Sequence, residues 1–176
     1  MNHSKTSIFK FTSPMKKYIF LIVLPFLIAC GGADNHEANV NVVKQYVDAV
    51  EALDYEVMGN LLAENYEGYG PSAGDTIHKA AAVESWKKSV DELYEKISYS
   101  RSQFAGVTIP EGPNKGDWVA NWAELKIDYK DGESATIWVN TNYQIVNGKI
   151  SKTFTFYNEA DVLEQLGYVF IDPDNL

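Results

Sequence analysis

Two residues of this chain could transfer a proton near neutral pH. Glu124 lies in the largely apolar segment DWVANWAELKIDY, and a carboxylate held beside aromatic side chains would be partly desolvated. Desolvation raises the pKa of a carboxyl group, which suits a general acid or base. His78 is the only histidine in the region 40–170, because His3 and His36 precede it. Glu124 and His78 are therefore the candidates for catalysis.

Motifs that identify one particular chemistry are missing from the sequence. It contains no Cys/His spacing typical of a metal site, no Gly-rich phosphate loop and no Gly-x-Ser-x-Gly nucleophile turn. A Ser-His-acid triad would have to use His78, and no spacing indicates its partners. We therefore expect no metal and no cofactor, and the residues leave the reaction type open.

Aromatic residues are numerous enough to line a ligand cavity. Such cavities are mostly apolar and carry a few polar groups. Aromatic side chains also fill ordinary cores, so both interpretations remain open for each residue. The candidate lining residues are Tyr46, Trp86, Trp118, Trp122, Tyr143, Phe154 and Phe156.

The element that positions these residues is a hairpin turning at Asn147–Gly148. An Asn-Gly pair between alternating runs is typical of a two-residue turn, since both turn positions need positive φ. Uninterrupted pairing from this turn places Tyr143 opposite Lys152 and Val139 opposite Phe156. A one-residue slip would exchange the two faces. The predicted inner face carries Ile137, Val139, Tyr143, Ile145, Ile150, Phe154 and Phe156.

The side on which Glu124 lies depends on a second turn at Asp131–Gly132. If these two residues alone form the turn, Glu124 faces Val139 on the inner side, together with Trp122. If the turn is one residue longer, Glu124 points to solvent. In that case the inner residues are Val119, Ala123, Leu125 and Ile127.

Helical periodicity precedes the strands in the chain. Apolar residues recur at helical spacing before residue 97, and longer alternating runs follow. Helices followed by antiparallel strands predict an α+β fold, with a curved antiparallel sheet and about three N-terminal helices on its concave face. The predicted helices cover about residues 41–53, 55–62, 79–96 and 158–166. The predicted long strands cover about 97–109 and 117–129, and the hairpin follows them.

The first thirty residues predict a secretory signal. Lys16–Lys17 precede the apolar run Tyr18–Ala29, which is shorter than a membrane span requires. Leu27–Cys30 resembles the lipobox of bacterial lipoproteins, and that resemblance implies lipidation of Cys30. The alternative is an ordinary secreted protein with an incidental cysteine. The start could be Met1 or Met15.

This interpretation predicts a domain order and a location. Residues 1–30 are the signal, 31–39 a flexible tether, 40–170 the folded domain and 171–176 a C-terminal tail. The predicted location is the bacterial cell envelope, on its periplasmic or outer surface. The protein would be attached to the membrane through the lipid on Cys30.

The charge balance argues against nucleic acid as a partner. The whole chain has a formal charge of −9, and the charged residues of the signal are all basic. The remaining chain is therefore more acidic still, which disfavours phosphate backbones and anionic headgroups.

Three stretches resemble the nuclear-transport-factor-2-like superfamily, in particular its SnoaL-like and ketosteroid-isomerase-like members. They are the DYEV of Asp54–Val57, the GDTIHK that leads into a helix reaching Trp86, and the segment from Asn147 to Gly167. The resemblance covers about Val40–Tyr168. The last segment is the most specific, through Gly148, Lys149, Ile150, Gln165, Leu166 and Gly167.

The resemblance implies a cone-shaped α+β roll with a pocket between helices and sheet. It places His78 near the pocket mouth and Asn158 where related enzymes often carry an acid. An amide can orient a ligand but cannot act as a base. Many members dimerise through the outer sheet face, where Trp138 and Tyr157 are expected to pair. That pair could contact a second copy, or be a lone exposed cross-strand pair.

Three hypotheses for function follow. The first is a lipid-anchored envelope protein that binds a small, mostly apolar molecule in the cone. The second is an isomerase, dehydratase or cyclase type of enzyme that uses Glu124 or His78. The third is an interaction protein acting through its outer sheet face. The absence of a convincing acid/base pair places the enzyme second.

Overall fold

The computed structural model describes residues 31–171, and the side chains from residue 35 onward. The predicted signal, Cys30 and all but the first residue of the predicted tail lie outside the described residues. The helices are α1 Gly31–Glu51, α2 Tyr55–Leu61, α3 Lys79–Glu92 and α4 Glu159–Gln165. The strands are β1 Leu62–Tyr69, β2 Thr76–His78, β3 Tyr94–Ile109, β4 Gly116–Tyr129, β5 Ser134–Val146 and β6 Lys149–Tyr157.

The six strands form one sheet in the order β2-β1-β6-β5-β4-β3. All neighbouring strands are antiparallel except β1 and β6, which run parallel. The predicted α+β class is thus confirmed, and the sheet is mixed. Within residues 31–171 no helix is both long and apolar enough to cross a membrane.

The core lies between the concave face of the sheet and helices α1–α3. Val43 and Val50 of α1 and Met58 of α2 pack against Val119 and Ile150 of the sheet. All five are almost completely buried, and burial of such side chains is the main favourable term in folding. Helix α1 therefore packs on the concave face of the sheet.

Helix α2 begins where the sequence predicted. The Asp54 carboxylate accepts a hydrogen bond from the backbone N–H of Val57 at 2.9 Å, which satisfies one of the free donors at a helix start.

The segment Gly31–Asn39, predicted as a flexible tether, instead forms the first turns of α1. His36 holds it to the sheet, because its Nε2 lies 2.9 Å from the Thr108 Oγ1. Its ring also lies close against Gly106, where a side chain would collide with it.

The turn at Asn147–Gly148 forms as predicted, with φ values of 52° and 71°. Val146 pairs with Lys149 and Ile145 with Ile150. Pairing then shifts by one residue at Ser151, so that Gln144 faces Lys152. Such a bulge sets two residues against one and reverses the faces beyond it.

The bulge makes the predicted faces of β6 wrong. Tyr143 pairs with Thr153 and Val139 with Tyr157, so Thr153, Thr155 and Tyr157 belong to the concave side. Phe154 and Phe156 lie on the outer face. The Ser151 hydroxyl donates to the Gln144 backbone carbonyl at 3.3 Å. This contact lies within the bulge and could not be predicted by counting residues from the turn.

The second turn takes the longer of the two predicted forms. The last pair of the ladder is Asp128 with Ser134, and the Tyr129 N–H donates to the Glu133 carbonyl at 2.9 Å. Glu124 consequently pairs with Trp138 instead of Val139, on the outer face. The inner side of β4 carries Val119, Ala123, Leu125 and Ile127, as that alternative predicted.

Candidate functional site

A cavity of about 310 Å³ lies between the concave sheet and the helices. Helices α1, α3 and α4 and strands β1 and β3–β6 all contribute to its wall. Its lining residues are Tyr46, Val50, Tyr66, Trp86, Tyr94, Ile97, Tyr99, Leu125, Ile127, Tyr129, Ile137, Val139, Thr141, Tyr143, Thr153, Thr155, Tyr157 and Val162.

The cavity wall contains no carboxylate, amine, guanidinium or imidazole group among these residues. Its polar groups are seven phenol hydroxyls, three threonine hydroxyls and the indole N–H of Trp86. Such groups donate and accept hydrogen bonds without bringing a full charge. The site is therefore polar but electrically neutral.

One side of the cavity groups five of the ten hydroxyls, and we call it the hydroxyl side. The Tyr66 and Thr153 hydroxyls share a hydrogen bond of 2.7 Å, and those of Thr141 and Thr155 lie 3.3 Å apart. Tyr143 completes this group from β5. The bulge at Ser151 creates this side, since it turns the two β6 threonines inward.

The other side carries most of the aliphatic residues. Leu125 and Ile127 of β4 lie beside Ile137 and Val139 of β5, and Ile97 of β3 lies next to them. Tyr99 pairs with Leu125 and Tyr94 pairs with Tyr129 on the same two strands, so phenol hydroxyls also border these aliphatic residues. A molecule in the cavity would thus meet a cluster of hydroxyls on one side and mainly aliphatic side chains, flanked by phenols, on the other.

Helix residues close the cavity opposite the sheet. Tyr46 of α1 meets Tyr143 edge to face, with ring centroids 5.8 Å apart. Trp86 of α3 lies against Tyr94 at 6.2 Å, and Val162 of α4 borders the opposite end. Aromatic pairs of this kind hold their rings in defined orientations.

Burial raises the pKa of the Tyr46 and Tyr143 hydroxyls well above their ordinary value, and neighbouring phenols add to the shift. The pKa of Tyr99 also rises through burial, and next through the negative charge of Glu51. Glu51 accepts a hydrogen bond from the Tyr99 backbone N–H at 2.6 Å.

The pKa of each of the other four cavity tyrosines is also raised. Burial is the largest cause in each, and it raises the pKa of Tyr66, Tyr94, Tyr129 and Tyr157. All seven phenols therefore remain protonated at neutral pH and can each donate a hydrogen bond.

Three of the predicted ligand-binding residues line the cavity: Tyr46, Trp86 and Tyr143. Their positions followed from helical periodicity and from the part of the hairpin that precedes the bulge.

Glu124 lies outside the cavity. It accepts a hydrogen bond from the Ser100 hydroxyl at 2.9 Å and forms an ion pair with Arg101 at 3.6 Å on the outer face. Glu124 and Trp122 both face away from the core, so the predicted position of Glu124 on the inner side is wrong.

His78 also lies outside the cavity. It is exposed, ends the short strand β2 opposite Glu67, and makes no side-chain hydrogen bond to the start of α3. The helix start therefore faces the sheet edge and not the cavity.

The remaining predicted residues belong to other parts of the fold. Asn158 caps α4 and accepts a hydrogen bond from the Asp161 backbone N–H at 3.3 Å. Trp122, Phe154 and Phe156 lie on the outer face beyond the register shifts described above. Tyr157, predicted on the outer face with Trp138, faces the cavity.

Sequence reasoning missed most of the tyrosines and all of the threonines. The missed tyrosines are Tyr66, Tyr94, Tyr99, Tyr129 and Tyr157. The one available signal was the spacing of Thr153 and Thr155, which places both on one face of β6. Uninterrupted pairing puts that face outside, and the bulge turns it inward.

Within residues 31–171, no group of three or more His, Cys, Asp or Glu side chains is placed to hold a metal ion.

No protein-family model matches this chain, and no curated protein matches it by sequence. Solved structures match its fold. A Xanthomonas campestris protein, whose proposed assignment is polyketide cyclase, superposes with a TM-score of 0.62 at 15% identity, covering 75% of this chain and 98% of its own.

Two further solved structures extend the comparison. An LEH-like epoxide hydrolase of M. tuberculosis gives a TM-score of 0.55 at 10% identity, over 75% of this chain and 91% of its own. An NTF2-like protein of unknown function from Burkholderia pseudomallei gives a TM-score of 0.59 at 15% identity, covering 74% of this chain and 98% of its own. The chain thus has the nuclear-transport-factor-2-like fold that the sequence resemblance implied.

The buried phenols predict a loss of stability at alkaline pH. An unfolded tyrosine ionises near pH 10, whereas a raised pKa keeps the native phenol protonated above that value. The unfolded state therefore binds fewer protons than the native state, and the free energy of unfolding falls as pH rises above about 10. Below about pH 10 this contribution is fully present.

We expect Tyr143→Phe to flatten this loss by up to about 1.4 kcal/mol per pH unit, the value for one proton. The measurement is urea unfolding at several pH values between about 8 and 11 for both proteins. Parallel curves for wild type and variant would contradict the assignment of Tyr143 as a buried phenol.

Proposed function

We propose that this protein binds a small, uncharged and mostly apolar molecule in the cavity. The observation that carries the proposal is the absence of any charged side chain among the lining residues. An ion transferred into such a site would lose its hydration and gain no opposite charge, at a cost of several kcal/mol. Carboxylates, phosphates and ammonium ions are thus disfavoured as ligands.

The arrangement of the polar groups narrows the ligand further. Hydroxyls of Tyr66, Thr141, Thr153 and Thr155 lie together on the hydroxyl side, while the opposite side carries most of the aliphatic lining residues. A neutral ligand with a hydroxyl or carbonyl group on one edge and an apolar body would satisfy both sides. The cavity volume of about 310 Å³ lies at the lower end of the usual range for ligand pockets, which favours a compact molecule.

An enzyme of the isomerase, dehydratase or cyclase type is the second candidate. It is favoured by solved structures with this fold, which include an epoxide hydrolase and a proposed polyketide cyclase. Proton transfer needs an acid or base within hydrogen-bond reach of the substrate. Glu124 and His78 lie outside the cavity, so this candidate lacks the two groups on which it was based and ranks below binding.

We also propose that the protein is attached to the bacterial cell envelope through a lipid on Cys30. The support is the sequence alone: a basic start, a short apolar run, and Leu27–Cys30 followed by Gly31.

Binding is tested with three matched probes: 2-naphthol, naphthalene and 2-naphthoate. We expect 2-naphthol to bind most tightly, since its hydroxyl reaches the hydroxyl side, naphthalene more weakly, and 2-naphthoate least, because its charge is unpaired in the cavity. Isothermal titration calorimetry with a chain that begins at residue 31 measures the affinity of each probe. Tightest binding of 2-naphthoate would contradict a neutral site.

A matched pair of variants assigns the binding to the cavity. Thr155→Phe fills the space beside the hydroxyl side and should reduce 2-naphthol affinity at least about tenfold, a change of about 1.4 kcal/mol. Thr136→Phe makes the same substitution on an exposed β5 side chain and should leave the affinity unchanged. Equal effects of the two variants would place the probe elsewhere.

Lipid attachment is tested by expressing the full chain in a bacterial host with radiolabelled palmitate. We expect incorporation into the wild type and none into Cys30→Ser, since Cys30 is the only cysteine. Gly31→Ala is the control and should keep the label. Label retained by Cys30→Ser, or absent from the wild type, would contradict the anchor.

A further inference from the structure

One end of the cavity is less buried than the rest, and we call it the open end. The lining residues Tyr66 and Tyr143 are buried, whereas Tyr129 and Tyr157 are only partly buried. Helix α4 begins two residues after Tyr157 and contributes Val162 to the cavity wall. A molecule that enters the cavity at its open end therefore passes beside α4.

Helix α4 has little packing of its own. None of its seven residues is buried. The chain leaves the helix at Gly167, whose φ is 81°, and the side chains of Tyr168–Ile171 are 59 to 79% exposed. The segment after the helix thus adds little to hold it in place. Elements with few buried contacts are the ones that open locally at low cost.

The side chain of Gln165 joins α4 to the sheet. Its Oε1 accepts from the Thr136 N–H at 2.8 Å, and its Nε2 donates to the Thr136 carbonyl at 2.9 Å. Strand β6 pairs with β5 only as far as Val139, so these backbone groups of Thr136 have no strand beside them. A side-chain amide carries the same donor and acceptor as a peptide group and fills the place of the missing strand.

These hydrogen bonds lie at the edge of the cavity. Thr136 is adjacent in the chain to Ile137, which lines the cavity. Gln165 lies three residues after Val162, so the two side chains share one face of the helix. The Gln165 Nε2 also donates to the Asp161 Oδ1 at 3.1 Å, which fixes the orientation of the amide. The bonds to Thr136 therefore hold Val162 against the cavity.

We propose that Gln165 is a positioning residue that keeps α4 closed over the open end, and that α4 turns about Asn158 to admit and release the ligand. The proposal rests on the proposed binding function, because the closure acts on that same cavity. It also gives a physical role to the segment Gln165–Gly167, which carries part of the sequence resemblance. Gln165 fastens the helix, and Gly167 ends it.

Opening of α4 is measured without any ligand, through one cysteine in the cavity wall. In a chain that begins at residue 31, Val139→Cys carries the only thiol, because Cys30 is the only native cysteine. Val139 lines the cavity and is 7% exposed. The small neutral reagent methyl methanethiosulfonate should therefore reach this position mainly when the cavity opens. Mass spectrometry gives the rate of labelling.

The variant that releases the helix is Gln165→Glu. It keeps the size of the side chain, removes the donor to Thr136 and places a negative charge beside the Thr136 carbonyl and the Asp161 carboxylate. We expect labelling of Val139→Cys to become at least about tenfold faster. Glu164→Gln, the reverse exchange at the adjacent exposed residue, is the matched control and should leave the rate unchanged.

A second reporter separates opening of α4 from loosening of the whole fold. Val119 is fully buried on the inner side of β4 and is not among the cavity-lining residues. Val119→Cys makes the same substitution there, and its thiol reacts only when the core opens. Gln165→Glu should leave the labelling rate of Val119→Cys unchanged.

Ligand exchange is measured by stopped-flow fluorescence of 2-naphthol in chains with native Val139. Gln165→Glu should raise the dissociation rate constant of 2-naphthol at least about tenfold, because release waits for α4 to open. If 2-naphthol does not bind to the wild type, the proposed function is contradicted, and the labelling rates still decide whether α4 closes the cavity.

Four results would overturn the closure. Labelling of Val139→Cys at the same rate with and without Gln165→Glu would show that the amide does not hold the cavity shut. Equal acceleration at Val119→Cys would show general destabilisation, and an equal effect of Glu164→Gln would remove the role of the amide. Faster labelling with an unchanged dissociation rate of bound 2-naphthol would mean that the ligand leaves by another path.

Discussion

The one-residue bulge at Ser151 is the constraint on which both faces of the sheet depend. Strand β6 lies at the centre of the sheet, between β1 and β5, and the bulge decides which of its residues face the helices. Because side chains alternate along a strand, one inserted residue exchanges the two faces for the rest of its length. Thr153, Thr155 and Tyr157 thereby enter the cavity, and Phe154 and Phe156 leave it.

The exchange determines what the cavity can bind. Two phenylalanines turned inward would have filled the space between sheet and helices with apolar volume. Threonines are smaller and carry hydroxyls, so the same positions now leave room and supply hydrogen-bonding groups. The phenols around them stay protonated because burial raises their pKa. A neutral polar side in a buried space selects against charged ligands more strongly than for any one neutral ligand.

The bulge also changes the outer face of the sheet. Phe156, excluded from the core, joins Trp122 and Trp138 on the outer surface. Glu124 is part of this surface too, and its ion pair with Arg101 holds the guanidinium beside Trp138. The longer turn between β4 and β5 places Glu124 and Trp122 there. A residue selected from the sequence for catalysis thus has a surface position.

Local signals in the sequence predicted the elements well. The Asn147–Gly148 turn, the cap at Asp54, the helical periodicity of α1 and α3 and the α+β class all follow from short-range chemistry, and all are present. The faces of β4 and β6 were not predictable in the same way. A bulge and a turn longer by one residue depend on how β6 fits between two neighbours, which no local pattern around Ser151 or Asp131 encodes.

The free energies of unfolding of Thr153→Asp and Phe156→Asp, measured by urea in dilute protein at neutral pH, test the bulged register most directly. The account predicts that Thr153→Asp costs about 3 kcal/mol or more, because it places a carboxylate in the neutral cavity. It predicts that Phe156→Asp costs less than about 1 kcal/mol, because that side chain already meets solvent. The reverse order, with Phe156→Asp the more costly, would contradict the register and the cavity derived from it.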